Sequence, residues 1–290
     1  MLVPPFDQRD GFIWFNGALV PWRDAKLHVL SHGLHYGSSV FEGERAYAGK
    51  IFKSREHSER FKRSAEILDF QIPYTVEELD AAKDATLKAN NLVNSYVRPI
   101  AWRGSEMMAV AAQNSTIHVA IATWDWPSMF DINTKMKGVK LDLAEYCRPD
   151  PRTAPSMAKA AGLYMICTIS KHRAERRGYA DALMLDWQGR VAECTGANVF
   201  FVKDGALHTP IADCFLDGIT RRTVIDLAKA RGIEVVERRI MPDEMSTFDE
   251  CFICGTGAEV TPVAEIAQYK FTPGAVSRAL IEGYDKAVHA

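Results

Sequence analysis

The chain has 290 residues, 47% hydrophobic and 25% charged, with a formal net charge of -2. This is the composition of an ordinary globular protein with core enough for one large or two medium domains, and the near-zero charge excludes an electrostatic footprint for nucleic acid or an anionic membrane. No uncharged apolar run reaches membrane-spanning length, and the N-terminus lacks a basic start followed by an apolar stretch, so the expectation is a cytoplasmic protein acting on small molecules.

In chain order, Phe12 to Val20 predicts a hairpin turning at Asn16-Gly17. Lys50 to Lys53 predicts a short strand, and Arg55 to Leu68 a helix with Phe61, Ala65 and Leu68 at helical spacing. Thr75 and Glu78 form a capping-box pattern ahead of a helix reaching Asn90. Strands follow at Ser95 to Trp102 and Thr116 to Thr123, making 1–125 an N-terminal α+β domain. The periodicity breaks over 126–137, an interdomain loop, and 138–290 forms a C-terminal domain. There, a strand at Val139 to Tyr146 precedes a long helix from Ser156 to Arg177 that carries Lys159 and Tyr164. A meander covers Asp181 to Lys203, with turns at Gln188-Gly189 and Asp204-Gly205. A helix at Thr220 to Arg231, strands at Glu234 to Ile240 and Glu250 to Gly255, and a helix at Pro273 to Val288 with Thr272 as N-cap complete the chain.

Six cysteines are scattered, and only Cys251 and Cys254 have a C-x-x-C spacing. In a strand, positions i and i+3 point to opposite faces, so these read as core residues and no metal pair is expected. Lys159 lies among small apolar neighbours with no acidic residue in the ten positions after it. Desolvation disfavours an ammonium, and a neutral amine can form a Schiff base with an aldehyde, the chemistry that holds pyridoxal phosphate; a lysine snorkelling from a helix is the plainer alternative. A pyridoxal phosphate site also needs an acid at the pyridine nitrogen and a phosphate anchor. Glu193, the one acid in a run of small residues, suits the first, although a surface loop acid would read the same way. Leu216 to Thr220, just before a helix, and Gly255 to Glu259, after a buried strand, could supply phosphate donors, or could be ordinary turns.

Taken in order, these pieces resemble the fold-type IV pyridoxal-phosphate enzymes, and within them the branched-chain amino acid aminotransferases, over nearly the whole chain. The matching segments are His32 to Gly43, Arg55 to Phe61, Lys159 with Tyr164, Glu193 to Asn198, Gly218 to Thr220 and Gly255 to Pro262. The resemblance implies a two-domain architecture: a small N-terminal α/β domain and a larger C-terminal domain built on a β-barrel-like sheet with helices. It implies Lys159 as the Schiff-base lysine and proton shuttle, Tyr164 on the ring oxygen and Glu193 on the pyridine nitrogen. It also implies Leu216 against the ring, with Arg60, Gly218, Ile219, Thr220 and Thr256 at the phosphate. On the substrate side it implies Tyr36, Tyr96, Arg98, Thr256, Gly257 and Ala258.

The implied activity is ping-pong transamination between L-leucine, L-isoleucine or L-valine and 2-oxoglutarate, by a homodimer or dimer-based oligomer. D-amino-acid or (R)-amine transamination and aminodeoxychorismate lyase activity are the alternatives within the same fold type. Arg98 favours the branched-chain group, because a guanidinium suits a carboxylate. Three features depart from the family pattern. Glu44 stands where an apolar residue is usual, Arg103 to Met108 replaces a glycine-richer stretch and could offer a second cation to an oxo acid, and Gln268 to Gly274 lacks the usual glycine-rich turn.

Overall fold

A computed structural model describes residues 4–126 and 131–290. Part of the expected interdomain loop, 127–130, lies outside the described residues. The chain divides into two compact units, Met1–Ser128 with Ala158–Gly162, and Met129–Met157 with Leu163–Ala290. Among the described residues no helix is long and apolar enough to cross a membrane.

The first unit contains β1 (Phe12–Phe15), β2 (Ala18–Pro21), α1 (His32–Tyr36), β3 (Ser39–Phe41), β4 (Glu44–Tyr47), β5 (Lys50–Ile51), α2 (Ser54–Ile67), α3 (Val76–Ala89), β6 (Ser95–Arg103) and β7 (Ile117–Asp125). The sheet order is β2-β1-β7-β6-β4-β5, with β3 also on β6. Asn16 and Gly17 both take positive φ in the first hairpin, and Thr75 and Glu78 close the capping box at α3. Along β6 the side chains alternate: Val97 and Ala101 pack with Phe61, Ala65, Leu79 and Leu87 of the two helices. The strand period therefore turns Tyr96 and Arg98 to the opposite face of the sheet.

The second unit contains α4 (Ile132–Lys135), β8 (Val139–Leu143), α5 (Met165–Arg176), β9 (Asp181–Leu185), β10 (Val191–Cys194), β11 (Asn198–Lys203), β12 (Ala206–Pro210), α6 (Ile219–Lys229), β13 (Val235–Arg238), β14 (Glu250–Gly255), β15 (Glu259–Ile266), β16 (Tyr269–Lys270) and α7 (Ala275–Val288). Strands β10-β9-β8-β15-β14-β11 close through a β10–β11 pairing into a six-stranded barrel. Leu141, Leu183, Val199, Phe201, Cys251, Ile253 and Val263 belong to its buried core. The mixed α+β architecture with a barrel-like sheet in the C-terminal half is the one expected.

Three local readings are corrected. The expected helix from Ser156 is absent until Met165, apart from a 3-10 turn at Ala161–Tyr164, so Lys159 is not on a helix. Its N–H donates to Ser64 Oγ (3.1 Å) and its carbonyl accepts from the Phe41 N–H (3.1 Å), while Ala160 bridges Val40. Those bonds to distant partners replace the i→i−4 ladder. Next, β15 is a strand over Glu259–Ile266, where no element is expected; pairing with β14 and β8 on its two sides overrides the unfavourable local propensity of Glu259 and Pro262. Finally, α7 begins after Gly274 rather than Thr272. Its open N–H groups at Val276 and Ser277 donate to the Glu250 carboxylate, whose Oε1 would lie 2.4 Å from a Cβ on residue 274, so only glycine fits.

Candidate active site

In the first unit, the functional residues converge on Phe41-Glu42-Gly43, the break between β3 and β4. The Glu42 N–H donates to the Pro99 carbonyl at 2.9 Å, which holds the break against β6. A Cβ on Gly43 would lie 2.1 Å from Tyr96 Oη, so the glycine makes room for the tyrosine hydroxyl. Arg98 lies on the same strand face as Tyr96, its Nη2 donating to Tyr96 Oη at 3.3 Å. The Arg98 guanidinium is 5.0 Å from the Phe41 ring centroid and 5.2 Å from that of Tyr96. Tyr96 in turn stacks on Trp124, centroids 4.9 Å apart. Lys159 Nζ is also 5.0 Å from the Phe41 centroid, which makes this one ring the shared neighbour of both cations.

Arg60, on α2, meets a fully buried carboxylate. Its Nε donates to Glu42 Oε1 at 2.7 Å and its Nη2 to Glu42 Oε2 at 2.8 Å, a two-point pairing that fixes the plane of the guanidinium. His57 Nδ1 lies 2.7 Å from the same Oε2. Burial acts to raise the Glu42 carboxyl, but the Arg60 and His57 charges and hydrogen bonds prevail and hold it well below the usual carboxylate range. Ser64, one helical turn beyond Arg60, receives the Lys159 N–H, so α2 supports both residues. Tyr36 is exposed, its ring stacked on His32 at 4.5 Å.

In the second unit, Glu193, Leu216 and Gly218 gather around one amide, that of Asn198. Glu193 and Asn198 face each other across β10 and β11, and Asn198 Nδ2 donates to Glu193 Oε2 at 3.2 Å and to the Leu216 carbonyl at 3.1 Å. The other carboxylate oxygen, Glu193 Oε1, is 3.3 Å from Nε of the buried Arg148. Arg148 Nη1 also reaches Cys167 Sγ at 3.5 Å, on the first turn of the helix that Tyr164 opens. Burial, only partly offset by Arg148, pushes the Cys167 thiol up to about 11, so it is inert.

Gly218 is the N-cap of α6 and makes no side-chain cap, which leaves the first N–H groups of the helix, at Ile219 and Thr220, without a capping side chain at the positive end of the dipole. Asn198 also pairs with Cys254 across β11 and β14, so the turn at Thr256, Gly257 and Ala258 begins beside it. A Cβ on Gly255 would meet the Gly196 carbonyl at 3.2 Å, a close approach of the two loops. A carboxylate at one end and a helix N-terminus at the other, with small residues between, is a donor set that fits a pyridinium bearing a phosphate.

Sequence reasoning missed Glu42, His57, Ser64, Trp124, Arg148 and Asn198. Glu42, His57 and Asn198 fall inside the His32 to Gly43, Arg55 to Phe61 and Glu193 to Asn198 segments, and those matches are the signal that could have found them. Arg103 corrects another expectation. Its guanidinium donates to the carbonyls of Ala112 (3.1 Å), Leu68 (3.4 Å) and Asp69 and lies 5.3 Å from the Phe70 centroid, so it braces the segment after β6 and offers no cation to an oxo acid. The unusual Glu44 is buried and paired with Lys83 Nζ at 2.9 Å. Cys251 and Cys254 are buried and unbridged.

Residues 39–266 match the family model for class IV amino-transferases. A probable branched-chain-amino-acid aminotransferase of Rickettsia felis is 44% identical over 255 residues, 88% of this chain and 86% of that protein. The branched-chain-amino-acid aminotransferase of Pseudomonas aeruginosa is 41% identical over 270 residues, covering 92% of this chain and 88% of that one. Among solved structures, the T.th. branched-chain amino acid aminotransferase complexed with N-(5'-phosphopyridoxyl)-L-glutamate superposes with a TM-score of 0.92 at 39% identity, over 97% of this chain and 94% of that one.

Proposed function

We propose a function from one premise, that the chain belongs to the class IV aminotransferases and, among them, to the branched-chain-amino-acid aminotransferases. It transfers the amino group of L-leucine, L-isoleucine and L-valine to 2-oxoglutarate with pyridoxal 5'-phosphate as cofactor. The observation that carries the amino-acid reading is the Phe41 ring, with Lys159 Nζ and the Arg98 guanidinium each 5.0 Å from its centroid. One group is an amine for the reacting end of a substrate, and the other is a guanidinium for its carboxylate. The phosphopyridoxyl-glutamate bound to the T.th. relative supports both the cofactor and the second substrate.

When bound, the cofactor supplies an aldehyde that captures the substrate amine and a ring that accepts the electron pair released at the α-carbon. Lys159 Nζ would hold the cofactor between turnovers and, once displaced by the substrate amine, take the proton from the substrate α-carbon. The Glu193 carboxylate would keep a proton on the pyridine nitrogen. The Tyr164 hydroxyl would donate to the ring oxygen, and Leu216 would lie against the ring. The resemblance gives Arg60, Gly218, Ile219, Thr220 and Thr256 as the residues that would hold the phosphate, the helix-end ones through their N–H groups and the Thr220 hydroxyl. Arg98 and Tyr96 would serve the substrate carboxylate, a role the resemblance also gives to Thr256, Gly257 and Ala258. An apolar pocket separates one methylene from another by only about 1–3 kcal/mol, so all three aliphatic substrates are accepted.

The working form is a homodimer or a higher assembly of dimers in the cytoplasm. Leu27, Val29, Leu30, Leu34 and Tyr36 form an exposed apolar run, and Val110 is 84% exposed, which is surface suited to a second copy. Six free cysteines suit a reducing compartment. A half-reaction panel tests the function: holoenzyme is mixed with L-leucine, L-phenylalanine, L-glutamate, D-alanine and (R)-1-phenylethylamine, and the change in cofactor absorbance is followed. L-leucine and L-glutamate react fastest under this reading, and faster reaction of D-alanine or the amine refutes it.

A further inference from the structure

We infer that Asn198 is a positioning residue that sets the ring-nitrogen acid, the ring-packing loop and the phosphate-holding helix at fixed places with a single buried amide. The inference rests on the cofactor reading above and adds a residue to which that reading gives no role. Both Asn198 Nδ2 hydrogens are committed to acceptors, Glu193 Oε2 at 3.2 Å and the Leu216 carbonyl at 3.1 Å. Two acceptors on one side fix the orientation of the amide, which turns Oδ1 toward Gly218.

That orientation explains the glycine. Gly218 has φ -65 and ψ 140, a conformation open to any L-residue, so its backbone does not demand glycine. What demands it is the amide: a Cβ there would lie 2.2 Å from Asn198 Oδ1, and its next contact, Arg221 Cβ at 3.5 Å, is an ordinary one. Asn198 and Gly218 are therefore one steric unit, with the carboxylate on one end of the amide and the start of α6 on the other. Arg148 closes the arrangement from the far side, 3.3 Å from Glu193 Oε1, so each oxygen of that carboxylate has its own buried partner. Asn198 acts through the three residues its amide meets, Glu193, Leu216 and Gly218.

The test is a double-mutant cycle on cofactor binding by apoprotein, read by absorbance titration with pyridoxal phosphate. Asn198→Ala is expected to weaken binding at least tenfold, and Gly218→Ala, whose methyl group displaces the same amide, by a similar factor. The double variant should bind no more weakly than Asn198→Ala alone, because the clash disappears with the amide. Asn198→Asp keeps the shape but sets a second carboxylate against Glu193, so the pH profile of the cofactor band should shift, a change that mere loosening of the fold does not cause. Additive losses in the cycle overturn the inference, as does unchanged binding by Asn198→Ala when Glu193→Ala weakens it. Failure of wild-type apoprotein to take up the cofactor overturns the cofactor reading and this inference together. If Asn198→Ala does not fold, Gly218→Ala and Asn198→Asp decide, and wild-type behaviour of both overturns the inference.

Discussion

Glu44 and Lys83 form an ion pair in the helix-covered core of the first unit, and its removal has a calculable pattern. The two side chains are 0% and 1% exposed, with Lys83 Nζ 2.9 Å from Glu44 Oε2 and 3.0 Å from Asp80 Oδ1. Glu44 Oε1 is buried and has no hydrogen-bond partner among the described residues. Burial prevails over the opposing Lys83 charge and raises the Glu44 carboxyl from 4.5 to about 8. A folded value raised above the unfolded one means that the folded state binds the proton more tightly, so this group favours folding below about pH 4.5 and loses that contribution as the pH rises to about 8. Lys83→Met strands the carboxylate and should cost about 3–5 kcal/mol at pH 8, and much less at pH 5, where Glu44 is protonated. Glu44→Leu leaves Lys83 its Asp80 partner and should cost less, about 1–2 kcal/mol. The double variant, Glu44→Leu with Lys83→Met, should return to within about 1 kcal/mol of the wild type, since apolar residues of similar volume often replace a buried pair without loss. Denaturant unfolding at both pH values, at fixed protein and cofactor concentration, measures all four proteins. Additive effects, or a Lys83→Met cost that does not depend on pH, refute the reasoning.

Two further substitutions separate support from chemistry. Glu42→Gln removes the charge that fixes Arg60 and should weaken pyridoxal phosphate binding about tenfold or more in titrations of apoprotein. Because the folded Glu42 carboxyl is depressed, its contribution to stability is present above the usual carboxylate range and is lost only as the pH falls through its low folded value, so wild-type cofactor binding should hold through mildly acidic pH. Arg103→Leu leaves buried carbonyls at Leu68, Asp69 and Ala112 without their donor and should destabilise the protein by about 2–4 kcal/mol. The ratio of half-reaction rates with L-glutamate and L-leucine should stay the same in that variant, and a changed ratio would restore Arg103 to the substrate side.

Short-range patterns made much of this molecule legible. The Asn16-Gly17 hairpin, the Thr75/Glu78 capping box and β14 follow from a few adjacent residues, and their energetics are local. Lys159 shows the limit. Small residues around it are compatible with a helix, but its backbone bonds go to Ser64 and Phe41, about a hundred positions away, and no window along the chain contains that information. β15 was hidden for the same reason, its ladder partners compensating for an unfavourable proline. The candidate site residues came from motif resemblance rather than from periodicity. Their supports, Glu42 for Arg60 and Asn198 for Glu193, show their purpose only when the partner is seen, since an acid or an amide in a strand carries no mark of what it will hold.

The central claim is that Lys159 Nζ is the group that holds pyridoxal phosphate covalently. Holoenzyme reduced with borohydride, digested and mapped by mass spectrometry should carry one phosphopyridoxyl group, on the peptide containing Lys159, and Lys159→Ala treated alike should carry none. A label on another lysine, or none on the wild type, would contradict the account.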